Sequence, residues 1–192
     1  MRDLAILTFV TLDGVMQAPS MPDEDRSNGF QSGGWAAPYW EEVMTQVQQE
    51  AMSEPYDILF GRKTYELFAS HWPNAKESPI ADMMNAARKY VVTTTLTSLT
   101  WNNSSAIAGD IAGEIGRLKR QGGPLLQVHG SSQLIQSLLA HDLIDEFRLW
   151  TFPVVTGSGK RLFAPDCQPR NLKLLKSAAC PNGVQMNIYR RA

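Results

Sequence analysis

YDILFGRKT, residues 56–64, is the stretch that decides the fold of this chain. Its apolar run, Ile58 to Phe60, predicts a buried strand that ends at Gly61, and the following residues open a predicted helix. A helix N-terminus favours an anion, because its first backbone N–H groups are free and the helix dipole is positive there. Two cations and the Thr64 hydroxyl would strengthen such a site. The stretch therefore predicts a strand–turn–helix that binds phosphate.

Strand-like and helix-like segments alternate along the rest of the chain. Strands are predicted at 4–10, 56–60, 89–94, 125–128 and 147–155, and helices from Pro38, after Gly61, and over 78–87, 110–120 and 133–140. Two final strands, 172–179 and 184–189, flank a Pro-Asn-Gly turn. The pattern predicts an α/β fold with a mostly parallel central sheet, helices on both faces and an antiparallel C-terminal hairpin. At 192 residues, a single domain over 1–192 is expected.

The composition of the chain excludes several classes of partner and site. Charged residues are 19% of the chain and the net charge is −1, so we expect neither nucleic acid nor an anionic membrane as a partner. Cys167 and Cys180 are the only cysteines, which predicts reduced thiols in a cytoplasmic protein. No metal site is expected, because His71, His129 and His141 share no ligand spacing with each other or with the cysteines.

Polar residues follow three of the predicted parallel strands. They are residues 61–64, 93–95 and 129–132. Ligands bind beyond the carboxyl ends of parallel strands, so together these segments favour a nucleotide. Taken one at a time, each has a purely structural alternative: a capped helix after a tight turn, or the β propensity of threonine.

Several short motifs occur in a familiar order along nearly the whole chain. They are Thr11 to Gly14, Leu59 to Glu66, Tyr90 to Thr95, His129 to Ser131, Leu143 to Glu146, Pro153-Val154 and Gly157 to Gly159. With them the chain resembles the dihydrofolate reductase superfamily. The branch it most resembles is the reductase domain of bifunctional riboflavin-biosynthesis deaminase-reductases. The resemblance implies a dihydrofolate reductase-like three-layer fold, binding of NADPH and a small-molecule substrate, and a homodimer.

The resemblance also implies which residues would hold the NADPH. They are Gly61, Arg62, Lys63 and Thr64 at the pyrophosphate and 2′-phosphate; Thr94 and Thr95 at the adenosine end; His129, Gly130, Ser131 and Ser132 at the next helix; and Met16 near the nicotinamide. Relatives in this superfamily often carry a cis peptide between two glycines, which corresponds here to the bond between His129 and Gly130.

Catalytic residues are less defined by the sequence. Asp13 is the first candidate for an acid or orienting group, and a structural role in an Asp-Gly turn is the alternative. The carboxylate that dihydrofolate reductases place after the first loop would correspond to Glu41 or Glu42. The chain carries Leu7 and His129 where riboflavin-pathway reductases have lysine and glutamate.

These departures favour reduction of another pterin, a pyrimidine or a small carbonyl compound rather than the riboflavin reaction itself. The alternative is a non-catalytic nucleotide-binding or dimerisation module on the same fold. Five aromatic residues are candidates for stacking on a flat substrate, with core packing as the alternative: Trp35, Tyr39, Trp40, Phe68 and Trp150.

Overall fold

The computed structural model describes residues 1–76 and 78–192. The strands are β1 (Leu4–Thr11), β2 (Tyr56–Gly61), β3 (Lys89–Val92), β4 (Ser104–Ile107), β5 (Leu125–Gly130), β6 (Glu146–Phe152), β7 (Leu172–Ala179) and β8 (Gln185–Arg191). The helices are α1 (Trp40–Ala51), α2 (Arg62–His71), α3 (Pro79–Ala86), α4 (Ile111–Arg120) and α5 (Ser132–Ala140).

All eight of these strands form one sheet in the order β4-β3-β2-β5-β1-β6-β8-β7. Every pair from β4 to β6 is parallel, whereas β8 runs antiparallel to β6 and pairs with β7 as a hairpin. The predicted α/β class, the mostly parallel sheet and the C-terminal hairpin are therefore confirmed. β2, β3 and β5 lie side by side, so the three polar strand ends share one edge of the sheet, as predicted.

Two hydrophobic cores cover the two faces of the sheet. Along β1, Leu4, Ile6 and Val10 point into one core and Leu7 into the other, as the alternation of side chains in a strand requires. Buried residues of α1 and α3 join the Leu7 core, and those of α4 and α5 join the opposite one. The resulting helix–sheet–helix arrangement is the predicted three-layer fold.

Local signals in the sequence located three helix starts. The side chains of Ser78, Asp110 and Ser131 each accept a hydrogen bond from a backbone N–H in the first turn of α3, α4 and α5. Each cap satisfies a donor that has no partner within its helix. None of the helices in the described part of the chain has the length and apolarity that a membrane span requires.

Other boundaries differ from the predictions. Pro38 lies in a 3-10 turn, and α1 begins only at Trp40. The strand predicted over 89–94 ends at Val92, because the Thr93 hydroxyl accepts the N–H groups of Thr95 and Leu96 and turns the chain. Similarly, β6 ends before Pro153, which has no N–H to donate to a neighbouring strand. β4 was not predicted from the sequence.

Candidate active site

A cleft of about 410 Å³ opens beside the carboxyl ends of β1 and β5. Its walls come mainly from residues 7–9 of β1, residues 16–20, 24, 25, 27 and 28 of the following loop, α1, α2, and residues 129–133 between β5 and α5. Lys160 completes it from the loop after β6. The cleft therefore lies at the edge of the sheet where parallel strands present ligand sites.

The N-terminus of α2 is built to accept an anion. Gly61 precedes the helix and supplies no side-chain cap, so its first backbone N–H groups have no side-chain partner. Gly61 also permits a close approach of the next strand end, because a Cβ there would lie 2.3 Å from the hydroxyl oxygen of Ser131. Lys63 lines the cleft at this point and makes no ion pair with any described residue.

A second helix N-terminus lies beside the first. β5 is the neighbour of β2 in the sheet, and it leads through Gly130 into α5. Ser131 caps α5, and Thr64, Gly130, Ser131 and Ser132 all line the cleft. Two helix dipoles thus present their positive ends to one wall of the cleft.

The cis peptide bond of this turn lies one residue later than expected. The resemblance pointed to the bond between His129 and Gly130, whereas the cis bond joins Gly130 to Ser131. The expected position was therefore wrong by one residue; Gly130 itself has a φ of +142°.

His129 borders the cleft as an uncharged ring. Burial among aromatic side chains lowers the pKa of His129 to about 4. Its Nε2 lies 2.9 Å from Oε1 of Gln127, whose amide nitrogen donates to the carbonyl of Ala51. Because the amide orientation makes Oε1 an acceptor, Nε2 of the neutral ring carries the proton and Nδ1 is left as an acceptor.

The loop between β1 and α1 is fixed by Gln17 and Lys160. The Gln17 amide donates to the carbonyls of Asp25 and Ser27 and accepts the N–H of Lys160. Lys160 Nζ lies 2.5 Å from an Asp25 carboxylate oxygen. Burial by itself would raise the pKa of Asp25, but the bonds from Lys160 and Ser27 outweigh it and lower the pKa to about 2.

Glu24 is a cleft residue that sequence reasoning missed. Its Oε2 accepts the N–H of Ser20 at 2.8 Å and that of Met21 at 3.3 Å. Burial raises the pKa of Glu24, with a smaller contribution from the neighbouring Asp25 charge. Nothing in the sequence distinguishes it from the adjacent acids of this loop, because its position depends on how the loop folds.

The structure brings most of the predicted cofactor residues together. Seven of them line the cleft: Met16, Lys63, Thr64, His129, Gly130, Ser131 and Ser132. Arg62 is not among the residues that line the cleft; at the start of α2 it pairs with Glu66 at 3.0 Å. Thr94 and Thr95 are exposed and follow the end of β3 outside the cleft lining.

The predicted catalytic acids lie outside the cleft lining. The Asp13 carboxylate accepts the hydroxyl of Thr11 at 2.6 Å and the N–H groups of Thr156 and Gly157. These bonds hold a turn, which favours the structural interpretation of Asp13. Glu41 and Glu42 are exposed in the first turn of α1, so neither faces the cleft.

The aromatic candidates separate into two groups. Trp40 and Phe68 line the cleft and remain available to a substrate. Trp150 is fully buried and donates to Gln46, and Trp35 is buried and donates to the carbonyl of Gln17. Tyr39 packs edge-on against Phe152. Core packing is therefore the structural role of Trp35, Trp150 and Tyr39, which do not line the cleft.

Similarity to known proteins identifies the family of this chain. Residues 3–186 match the family described as RibD C-terminal domain. The chain belongs to that family. The chain is also 32% identical over 136 residues to the uncharacterized protein YyaP of Bacillus subtilis (strain 168); the match covers 69% of this chain and 72% of YyaP. A second protein of that organism, the uncharacterized YwjB, is 32% identical over 74 residues, 38% of this chain and 42% of YwjB.

Solved structures share the fold of this RibD C-terminal domain at low identity. A putative riboflavin biosynthesis protein from Shewanella sp. PV-4 matches with a TM-score of 0.67 and 19% identity, over 100% of this chain and 99% of the other. Dihydrofolate reductase from Enterococcus faecalis, complexed with NADP(H) and RAB-propyl, matches with a TM-score of 0.62 and 11% identity, over 98% of this chain and 96% of the other. A pyrimidine reductase-like protein from Corynebacterium diphtheriae matches with a TM-score of 0.61 and 11% identity, over 100% of this chain and 92% of the other. The dihydrofolate reductase-like fold is thereby confirmed.

Proposed function

We propose that this RibD C-terminal domain is an NADPH-dependent reductase that transfers hydride to a small heterocyclic or carbonyl substrate in the cleft. The observation that carries the proposal is the pair of adjacent helix N-termini, those of α2 and α5, beside the side chain of Lys63. A dinucleotide pyrophosphate matches this wall, because backbone N–H groups and positive dipole ends stabilise its charge. Arg62, the residue before Lys63, is the second cation available to a 2′-phosphate.

The substrate would occupy the apolar part of the cleft. The cleft lining includes many apolar and aromatic side chains that could form this part: Leu7, Phe9, Trp40, Met44, Val47, Met52, Leu67, Phe68, Trp72 and Met84. Such side chains suit a flat ring, which they would orient over the nicotinamide while water is excluded. The family and the reductase-like structural relatives are consistent with this chemistry.

The protein's own contribution to the reaction would be placement. The cofactor, when bound, supplies the hydride. Thr64 and Ser132 would orient its phosphates, and the loop carrying Met16 and Gln17 would close one side of the cleft. Because Gln17 and the Lys160–Asp25 ion pair fix that loop, the cleft would be largely formed before the ligands arrive.

Titration with NADPH and NADH, followed by nicotinamide fluorescence, tests the proposal. We expect tighter binding of NADPH, and Lys63→Ala should weaken it by about tenfold, because a charge-assisted contact is lost. Lys173→Ala removes the same charge from an exposed position on β7 and should leave the affinity unchanged. Absence of binding to either nucleotide would overturn the proposal and favour a non-catalytic module.

A further inference from the structure

Asparagine followed by glycine occurs twice in the chain, at Asn28-Gly29 and at Asn182-Gly183. Such a pair can lose the side-chain amide without an enzyme, because glycine has no Cβ to shield its backbone nitrogen from the neighbouring side chain. Both pairs lie in turns, the first in the 3-10 turn Ser27–Gly29 and the second between β7 and β8. The surroundings of each amide therefore decide which of the two reacts.

The amide of Asn182 is held by three hydrogen bonds. Nδ2 donates to the carbonyl of Tyr39 and to a carboxylate oxygen of Glu42, both at 3.2 Å, and Oδ1 accepts the N–H of Val184 at 3.3 Å. Deamidation requires the side-chain carbonyl carbon to rotate onto the next backbone nitrogen, so these bonds would have to break first. The fold therefore protects Asn182.

The amide of Asn28 has no such protection. Its side chain is exposed and makes no hydrogen bond to any residue that the structure describes. The amide of Gln17 fixes this loop at Asp25 and Ser27, and Asn28 lies just beyond these bonds, where it lines the cleft. Its side chain can therefore rotate without breaking a contact.

We propose that Asn28 is a site of spontaneous deamidation and that Asn182 is not. The backbone nitrogen of Gly29 attacks Cγ of Asn28 and gives up its proton, the bond from Cγ to Nδ2 breaks, and ammonia leaves a cyclic succinimide. Water then opens the ring at either carbonyl and gives aspartate or isoaspartate. Nothing is oxidised or reduced, and water is the co-reactant.

The modification changes the charge of the cleft. Among the described residues that line it, two lysines and two acids carry a formal charge at neutral pH: Lys63, Lys160, Glu24 and Asp25. A new carboxylate at position 28 makes this lining net negative, which opposes an anionic dinucleotide and does so most at low salt. This consequence rests on the proposed function, whereas the modification itself does not.

Peptide mapping by mass spectrometry measures the modification. The full chain is incubated in mildly alkaline buffer, and trypsin then separates the two pairs into the fragments 27–62 and 177–190. We expect Asn28 to convert about tenfold or more faster than Asn182, because Asn182 must first break its hydrogen bonds. In guanidinium chloride those bonds are absent, and the two rates should become similar.

One variant tests why Asn182 is protected. Glu42→Ala removes one of the two acceptors of its Nδ2, so Asn182 should convert several-fold faster than in the wild-type chain, while the rate at Asn28 stays the same. If Asn182 converts as fast as Asn28 in the folded wild-type chain, the proposal is wrong. It is also wrong if Asn28 keeps its amide in the folded chain and loses it only in guanidinium chloride.

A second variant tests the consequence for the cleft. Asn28→Asp carries the charge of the product and should bind NADPH up to about fivefold more weakly at low salt, with a smaller loss at high salt. Asn102→Asp adds the same charge at an exposed position outside the cleft lining and should bind like the wild type. Equal affinity of both variants would show that the effect on the cofactor is wrong. Absence of NADPH binding by the wild-type chain would overturn the proposed function and leave the modification site standing.

Discussion

The side chain of Thr64 occupies the space that a Cβ on Gly130 would need, with its hydroxyl oxygen 2.8 Å from that position. Gly130 also has a φ of +142°, which side chains rarely adopt. The contact fixes the first turn of α2 against the end of β5, so it sets the distance between the two helix N-termini. Glycine is therefore required here for both backbone conformation and space.

Gly130→Ala should weaken NADPH binding and lower the free energy of unfolding by about 1–3 kcal/mol, the usual range for strained backbone. Urea unfolding and nicotinamide fluorescence measure the two effects. Gly109→Ala is the control, because its φ is +81° but nothing lies within 4 Å of the added Cβ. Equal NADPH affinity in the two variants would contradict a role for the Thr64–Gly130 contact in the cofactor site.

The ion pair between Arg62 and Glu66 predicts how cofactor selectivity can be tuned. Both side chains are about two-fifths exposed, at 41% and 44%, so the pair is weak and a phosphate can compete with Glu66 for Arg62. Glu66→Gln should raise the preference for NADPH over NADH up to about fivefold. Arg62→Ala should lower it.

The measurement is the ratio of the two dissociation constants. Glu114→Gln removes an acid that pairs with Arg117 on α4, away from the cleft, and should leave that ratio unchanged. If neither Arg62→Ala nor Glu66→Gln alters the ratio, Arg62 does not contact the 2′-phosphate.

The sequence predicted the fold well because the signals that define it are local. Apolar runs such as Leu4 to Val10 are buried on both faces only in a central parallel strand, and Ser78, Asp110 and Ser131 have side chains that cap helices. β4 lacked such a signal: Ser104 to Ile107 is short and half polar. It is a strand because it pairs with the outer edge of β3.

The site was predictable only where it follows directly from strand order. Residues 61–64 and 129–132 meet because β2 and β5 are neighbours. Trp40 and Trp150 are the same residue type, yet one lines the cleft and the other is fully buried, a difference set by tertiary packing. Glu24 could not be identified, because it reaches the cleft through the conformation of a long loop, which the bonds of Gln17 to residues 25 and 27 hold.

The low pKa of His129 predicts a loss of stability in acid. In the unfolded chain this histidine takes up a proton near its ordinary pKa of 6.5, whereas in the folded protein it does so only near 4. Above pH 6.5 the ring is neutral in both states and contributes nothing to the pH dependence. Between 6.5 and 4 the unfolded state binds the extra proton, so stability falls by up to about 1.4 kcal/mol per pH unit.

Urea unfolding of the wild-type chain and His129→Gln at pH 7, 6 and 5 checks this prediction. The stability of the variant should decrease less steeply with falling pH. His141→Gln removes an exposed histidine and should follow the wild-type slope. Parallel curves for wild type and His129→Gln would show that His129 is protonated in the folded protein as easily as in the unfolded one.

The hydrogen bonds of Asp13 suggest a variant that distinguishes a role of this residue in stabilising the turn from a role in catalysis. The Thr11 hydroxyl is the largest cause that holds the pKa of Asp13 below its ordinary value, with the N–H groups of Thr156 and Gly157 adding to it and burial opposing it. Asp13→Asn keeps the shape of the side chain but weakens these bonds. We expect a loss of about 1 kcal/mol in the free energy of unfolding.

Asp13→Asn should also leave the dissociation constant of NADPH unchanged, because the carboxylate does not line the cleft. The loss of stability should shrink below about pH 4, since the folded-state advantage of the ionised carboxylate disappears as pH falls through its lowered pKa. Unfolding curves at pH 7 and pH 3.5 measure this. A folded Asp13→Asn protein of wild-type stability that binds NADPH but has lost turnover would instead establish Asp13 as a catalytic group.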